Sequence, residues 1–266
     1  YRGKEGGSAM AKMVYVHIDT TSNAALSRGI SPVEFYHGIV HQPKNLLLLD
    51  PSSDYGEFEA HTGMKVLRGN ESVKQYFDEI ARNRISEDIK WIDFNDSAMI
   101  KELTPLEISE LLYFGHTKTH LHSPFFYKLQ NNFVYFDLKD DLSRVYYRYL
   151  DEYYRILADK LTRLVLEKIN DRKSFFRKST PVDKLDVTLL RELKPLFQEG
   201  VIFCFQSSHL EGRDYKIPIY LVEDGGLRKE NPLGKDELLV AYLIYSQEKR
   251  QWLVAYEDKD FLFLSK

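Results

Sequence analysis

Leu46-Leu47-Leu48-Leu49-Asp50 is too short for a helix of its own and too continuously apolar for a strand with one face in water. Two other early segments have the same form: Val14-Tyr15-Val16-His17-Ile18-Asp19 and Trp91-Ile92-Asp93-Phe94-Asn95-Asp96. Short apolar runs separated by helix-like segments read as strands buried on both faces, as in an α/β sheet with a partly parallel layer. Ligands of such sheets bind beyond the carboxyl ends of the strands, where these aspartates would sit. The expectation is therefore three acidic tips converging on one rim.

Helix signals lie between the runs. Ser31-Pro32-Val33-Glu34 combines an N-cap, proline at the first helical position and a capping-box glutamate. Val33, Tyr36, Ile39 and Val40 share a face, and Pro43 stops the helix. Asn70 is read as the cap of a helix carrying Val73, Tyr76, Phe77 and Ile80. Thr104-Pro105-Leu106-Glu107 repeats the capping box, with Ile108, Leu111 and Leu112 behind it and Gly115 as the residue just past the end. The polar connection 51–69 carries Met64, Val66 and Phe58 as inward candidates, and its length marks it as functional.

Beyond Pro124 the pattern changes. Segments 125–129 and 133–138 flank Gln130-Asn131-Asn132 and read as a hairpin. Leu150, Tyr153, Leu157, Leu161 and Leu164 then recur at helical spacing within 143–170, a helix about 40 Å long. It reads as a backbone helix laid across a sheet, with a homodimer seam or a protein partner on that helix as the alternative. Segment 171–178 is charged and a candidate boundary; its alternating basic and aromatic residues read first as a solvated linker that tucks two Phe into the core and second as a single-stranded nucleic-acid contact. Residues 186–198 are helical, broken near Pro195. Segments 201–205, 217–222, 238–245, 252–256 and 261–264 read as an antiparallel meander. The fold class is therefore α+β: a mixed α/β N-terminal half, an antiparallel meander in the C-terminal third and one long central helix. Residues 1–12, with Gly6-Gly7-Ser8, read as a leader. Residues 13–140 and 141–266 form two regions or one continuous domain.

Composition bounds the function. At 43% hydrophobic and 29% charged over 266 residues the chain can bury a sizeable core. Its 18 tyrosines and 16 phenylalanines read first as a Tyr-rich core boundary and second as a binding surface. A net charge of −3 argues against a nucleic-acid partner. Cys204, the single cysteine, excludes an intramolecular disulfide and reads as a buried, inert thiol. No run reaches the length of a membrane span, so the expected location is the cytoplasm.

Two constellations could carry chemistry. Asp19, Asp50, Asp54 and Asp96, brought together, would repel one another and so favour Mg²⁺ or Mn²⁺, which could clamp a phosphate or activate water. The segment Val16-His17-Ile18-Asp19-Thr20-Thr21-Ser22 resembles the start of PIN-like nucleases, in which an acid ends the first strand. That family's next acid, on the following helix, has no counterpart here. Among the histidines, His37 and His41 lie four apart, and His116, His120 and His122 cluster. Both groups read as helix-end residues before zinc ligands. His61, in the 51–69 connection beside Glu57 and Glu59, is the candidate general base. The leading expectation is a non-catalytic ligand-binding or protein-interaction module. The alternative is a metal-dependent phosphoesterase or nuclease-like hydrolase using the strand-end aspartates.

Overall fold

The structure is a computed structural model that describes residues 13–82, 84–85, 87–138, 140–170, 179–222 and 238–257. Its first elements are β1 Met13–Asp19, β2 Ala24–Arg28, α1 Pro32–Gly38, β3 Asn45–Leu48, β4 Glu57–Glu59, β5 Met64–Arg68, α2 Asn70–Ala81 and β6 Lys90–Phe94. A 3₁₀ turn, Met99–Glu102, precedes α3 Pro105–Thr117, β7 Phe133–Asp137, β8 Leu142–Tyr147 and α4 Asp151–Asn170. Then come α5 Val187–Glu192, α6 Lys194–Glu199, β9 Val201–Cys204, β10 His209–Glu211, β11 Asp214–Leu221, β12 Leu239–Ser246 and β13 Gln251–Tyr256. The fold class is α+β, as the sequence predicts.

Both capping boxes form. The Ser31 and Thr104 main-chain N–H groups donate to Glu34 and Glu107 at 2.8 and 2.7 Å, and each cap hydroxyl accepts the N–H three residues on. Three local readings need correction. Helix α1 ends at Gly38, with Ile39 already extended, so His41 leaves the helix and shares no face with His37. The N-cap of α2 is Gly69, whose N–H donates to the buried Asn45 side chain. Helix α3 runs through Gly115 to Thr117, and Lys118 takes the left-handed cap. A β-carbon on Gly115 would lie 2.5 Å from the Leu49 carbonyl oxygen, so glycine there is what lets the helix approach the end of β3.

The chain divides into two compact units. One holds residues 19–25 and 31–153. Its strand order is β8-β7-β6-β3-β5-β4, and every pairing in it is antiparallel. The expected parallel layer is thus absent among the described residues of this unit. The apolar runs are continuous because both faces of an antiparallel sheet are covered. On one face Phe35 of α1 meets Trp91, Phe133, Tyr135 and Tyr147, while Phe77 of α2 meets Trp91 edge-on. On the other, Leu111 and Phe114 of α3 join Leu47, Ile92, Val134, Phe136 and Tyr146 in one apolar cluster. Most of the aromatic excess in this unit is core: Tyr135, Tyr147 and Tyr153 are all buried.

The 51–69 connection contains the β4–β5 hairpin, with Glu59 opposite Met64. Met64 and Val66 point inward as expected, whereas Phe58 is 64% exposed. Segment 125–129 is a turn, and β7 pairs instead with β8, Phe133 opposite Tyr147. The long helix therefore starts at Asp151, not at 143. Its 20 residues span about 30 Å.

The other unit holds the described residues of 13–18, 26–30 and 154–257. Its order is β13-β12-β11-β9-β1, with β10 on β11, again antiparallel. Leu157, Leu161 and Val165 of α4 are buried here, and Thr162 accepts the Leu185 N–H at 3.0 Å. The face proposed as a dimer seam on 143–170 is thus covered by the chain itself. Cys204 is a buried free thiol whose Sγ lies 3.5 Å from Ser207 Oγ. Residues 1–12, the charged segment 171–178 and the expected strand 261–264 lie outside the described residues. No described helix is long and apolar enough to cross a membrane.

Candidate functional site

Antiparallel pairing decides the fate of the strand-end aspartates. Asn45 lies opposite Phe94 and Leu48 opposite Trp91, so β3 and β6 end at opposite edges, carrying Asp50 and Asp96 apart. Asp50 accepts the Ser52 N–H at 3.0 Å and hydroxyl at 2.6 Å, and Lys90 approaches it at 3.4 Å. The Ser52 hydroxyl is the main cause holding its acid below the usual carboxylate range. Asp96 accepts the Ala98 N–H at 2.9 Å. Asp19 accepts from Thr21 N–H at 2.8 Å and Ser22 Oγ at 2.6 Å, the Ser22 bond chiefly lowering its acid. The Asp54 main-chain N–H donates to Glu87 at 3.1 Å. These are turn-closing roles, and β1 of the nuclease-like segment pairs antiparallel with β9. Among the described residues no three His, Cys, Asp or Glu side chains are grouped to hold a metal ion. The expected Mg²⁺ or Mn²⁺ site at Asp19, Asp50, Asp54 and Asp96 is therefore not assembled.

The candidate base His61 donates from Nε2 to the Leu103 carbonyl at 2.7 Å, tying the β4–β5 hairpin to the segment before α3. His122 pairs with Glu110 at 3.0 Å, whereas the His120 ring lies edge-on to Tyr146 at 5.4 Å. The histidine cluster on 116–122 is not a shared ligand set.

A different place in the same unit has the geometry of a site. Beyond the start of β3, the end of β6, the start of β7 and the end of β8 lies a cleft of about 520 Å³. The size is ordinary for a small-molecule site. The loop after α1 contributes His41, Gln42 and Lys44; β6 and its exit contribute Asp93 and Asn95. Tyr127, Gln130 and Asn132 come from the loop before β7, and Arg148 and Tyr149 from the end of β8.

Each wall is fixed by a hydrogen bond that the sequence encodes. Asn45 donates from Nδ2 to the Phe94 and Asn95 carbonyls at 3.2 and 3.1 Å, fastening the start of β3 to the end of β6. Asn131, fully buried, accepts the Phe126 N–H at 2.8 Å and donates to the Pro124 carbonyl at 3.1 Å. That closes the loop presenting Tyr127 and Gln130. The β6–β7 ladder ends at Ile92, and the Asp93 carboxylate there accepts the N–H groups of Asn132 at 3.0 Å and Phe133 at 2.6 Å. Burial pushes the Asp93 acid up to about 7, although those N–H groups and nearby Arg148 favour the charged form.

His41 is held by a buried glutamate from the first turn of α4. Glu152 is 4% exposed; one carboxylate oxygen accepts the Val40 N–H at 2.7 Å and the other bonds His41 Nδ1. The Tyr149 ring lies 5.5 Å from the imidazole. A proton on Nδ1 directed at a carboxylate leaves Nε2 as the working nitrogen. Arg148 donates from Nε to the Asn131 carbonyl at 2.7 Å and stacks over Phe125 at 5.1 Å, which aims the rest of its guanidinium. Among the described residues neither Arg148 nor Lys44 forms an ion pair, and the side-chain amides of Asn95, Gln130 and Asn132 make no hydrogen bond.

No family model, curated protein or solved structure matches this chain.

Sequence reasoning passed over Asp93, Arg148, Lys44 and the His41–Glu152 pair. One signal was present: Asp93 is a carboxylate inside a buried strand, and such a group needs a specific reason to be there. The partners of His41 and Arg148 lie 111 and 17 residues away, a separation no local pattern reports.

Proposed function

We propose that this chain is a ligand-binding module, without catalysis, whose cleft takes a small molecule carrying an anionic group. The observation that supports it is the pair of cations on the cleft, Lys44 and Arg148, neither of which forms an ion pair among the described residues. The Glu152 charge is already committed to His41 and the Val40 N–H. Asp93 sits beneath the cleft as a buried acid, and burial raises its pKa to about 7. Arginine with a fixed Nε offers its remaining N–H groups in the fork that matches carboxylate or phosphate oxygens. The reading includes a cytoplasmic location, supported by the free, buried Cys204.

Isothermal titration with pyrophosphate tests the reading. Lys44 is exposed, so Lys44→Ala leaves the fold alone. Loss of one charge-assisted contact is expected to weaken binding about 10- to 100-fold. Absence of millimolar binding, or equal affinity of wild type and Lys44→Ala, contradicts it.

The His41–Glu152 pair supports a second reading, in which the bound ligand is an ester and His41 Nε2 is the general base. It replaces the aspartate-based hydrolase, whose residues lie apart. Turnover of p-nitrophenyl phosphate that falls at least about 100-fold in His41→Gln supports this reading. Failure of the wild type to turn it over counts against it.

A further inference from the structure

We propose that the anionic ligand is a nucleotide, with its base stacked on Tyr127 and its phosphate held by Lys44 and Arg148. This rests on the anion-binding reading above and names the ligand class.

Tyr127 is 91% exposed, the most exposed of the large apolar side chains described, yet its loop is not loose. Its neighbours Phe126 and Leu129 are buried. The Gln130 N–H donates to the carbonyls of Phe126 and Tyr127 at 3.1 and 3.3 Å, and buried Asn131 closes the turn from within. A rigid loop therefore holds this ring out at the mouth of the cleft. Stacking on an unstacked base is a use that a water-exposed ring at a binding site can serve. Simple anion binding has no need of it.

The amides supply the second observation. Asn95, Gln130 and Asn132 line the same cleft with side chains that make no hydrogen bond among the described residues. Side-chain amides offer a donor and an acceptor side by side, the pattern that base edges match. An anion has no use for their carbonyl oxygens. Two cations that form no ion pair among the described residues, and a net charge of −3, suit one or two phosphates, not a polymer track.

The test is calorimetric titration of the full chain with AMP, GMP, CMP, UMP and ribose 5-phosphate, for wild type and Tyr127→Ala. At least one nucleotide is expected to bind about 5- to 100-fold more tightly than ribose 5-phosphate, the worth of one stacked base. Tyr127→Ala should close that gap and leave ribose 5-phosphate affinity unchanged; Tyr127→Phe should keep it. Nucleotides no tighter than ribose 5-phosphate, or a gap that survives Tyr127→Ala, overturn the proposal while sparing the anion site. Failure of every probe to bind overturns both.

Discussion

Asp93→Asn is expected to stabilise the protein at pH 8 by roughly 4 kcal/mol relative to wild type, with little difference near pH 4. The Asp93 carboxyl is 3% exposed and its pKa is raised from 3.8 to about 7. Between those values the folded chain holds a proton that the unfolded chain has released. The contribution of this group is thus fully present below pH 4 and is lost as pH rises through about 7. Asparagine keeps an oxygen for the Asn132 and Phe133 N–H groups and carries no charge at any pH. Other titrating groups act equally in both proteins, so the difference between their urea midpoints isolates Asp93. Stability curves that run parallel from pH 4 to 8 would show that the acid is not buried as described.

Phe35→Ala is expected to cost about 3–5 kcal/mol, a large share of the stability of an ordinary domain. The ring is 1% exposed, with centroids of Tyr135, Phe133, Trp91 and Tyr147 at 5.1, 5.4, 5.8 and 6.0 Å. Truncation leaves a cavity walled by rigid rings that collapse poorly into it. Phe35→Leu, which refills most of the volume, should lose less than half as much. Urea unfolding followed by Trp91 fluorescence, with Trp252→Phe in both proteins to remove the second tryptophan, reads both. A loss under about 1 kcal/mol for Phe35→Ala would mean that α1 is not docked on these strands.

What was legible in the sequence was local. Ser31 with Glu34 and Thr104 with Glu107 predict two helix starts, because the bonds that form a capping box span three residues. The strands 201–205 and 252–256 stand out by composition. Strand direction did not, since Leu46-Leu47-Leu48 is equally apolar whether its neighbours run with it or against it. Covered faces, not parallel pairing, explain that run. The β8 alternation of Ser143, Val145 and Tyr147 was absorbed into the helical spacing that begins eight residues later. The cleft was illegible for the same reason as strand order. Residues 41–44, 93–95, 127–132 and 148–149 meet only once antiparallel pairing brings four strand ends to one edge.

The most direct test of the cleft is an amide NMR titration of the full chain with pyrophosphate. The account predicts saturable shifts centred on Gln42, Asn95, Asn132 and Arg148, and none along β11 or β12. Shifts scattered over the surface, or an unchanged spectrum at saturating ligand, would contradict it.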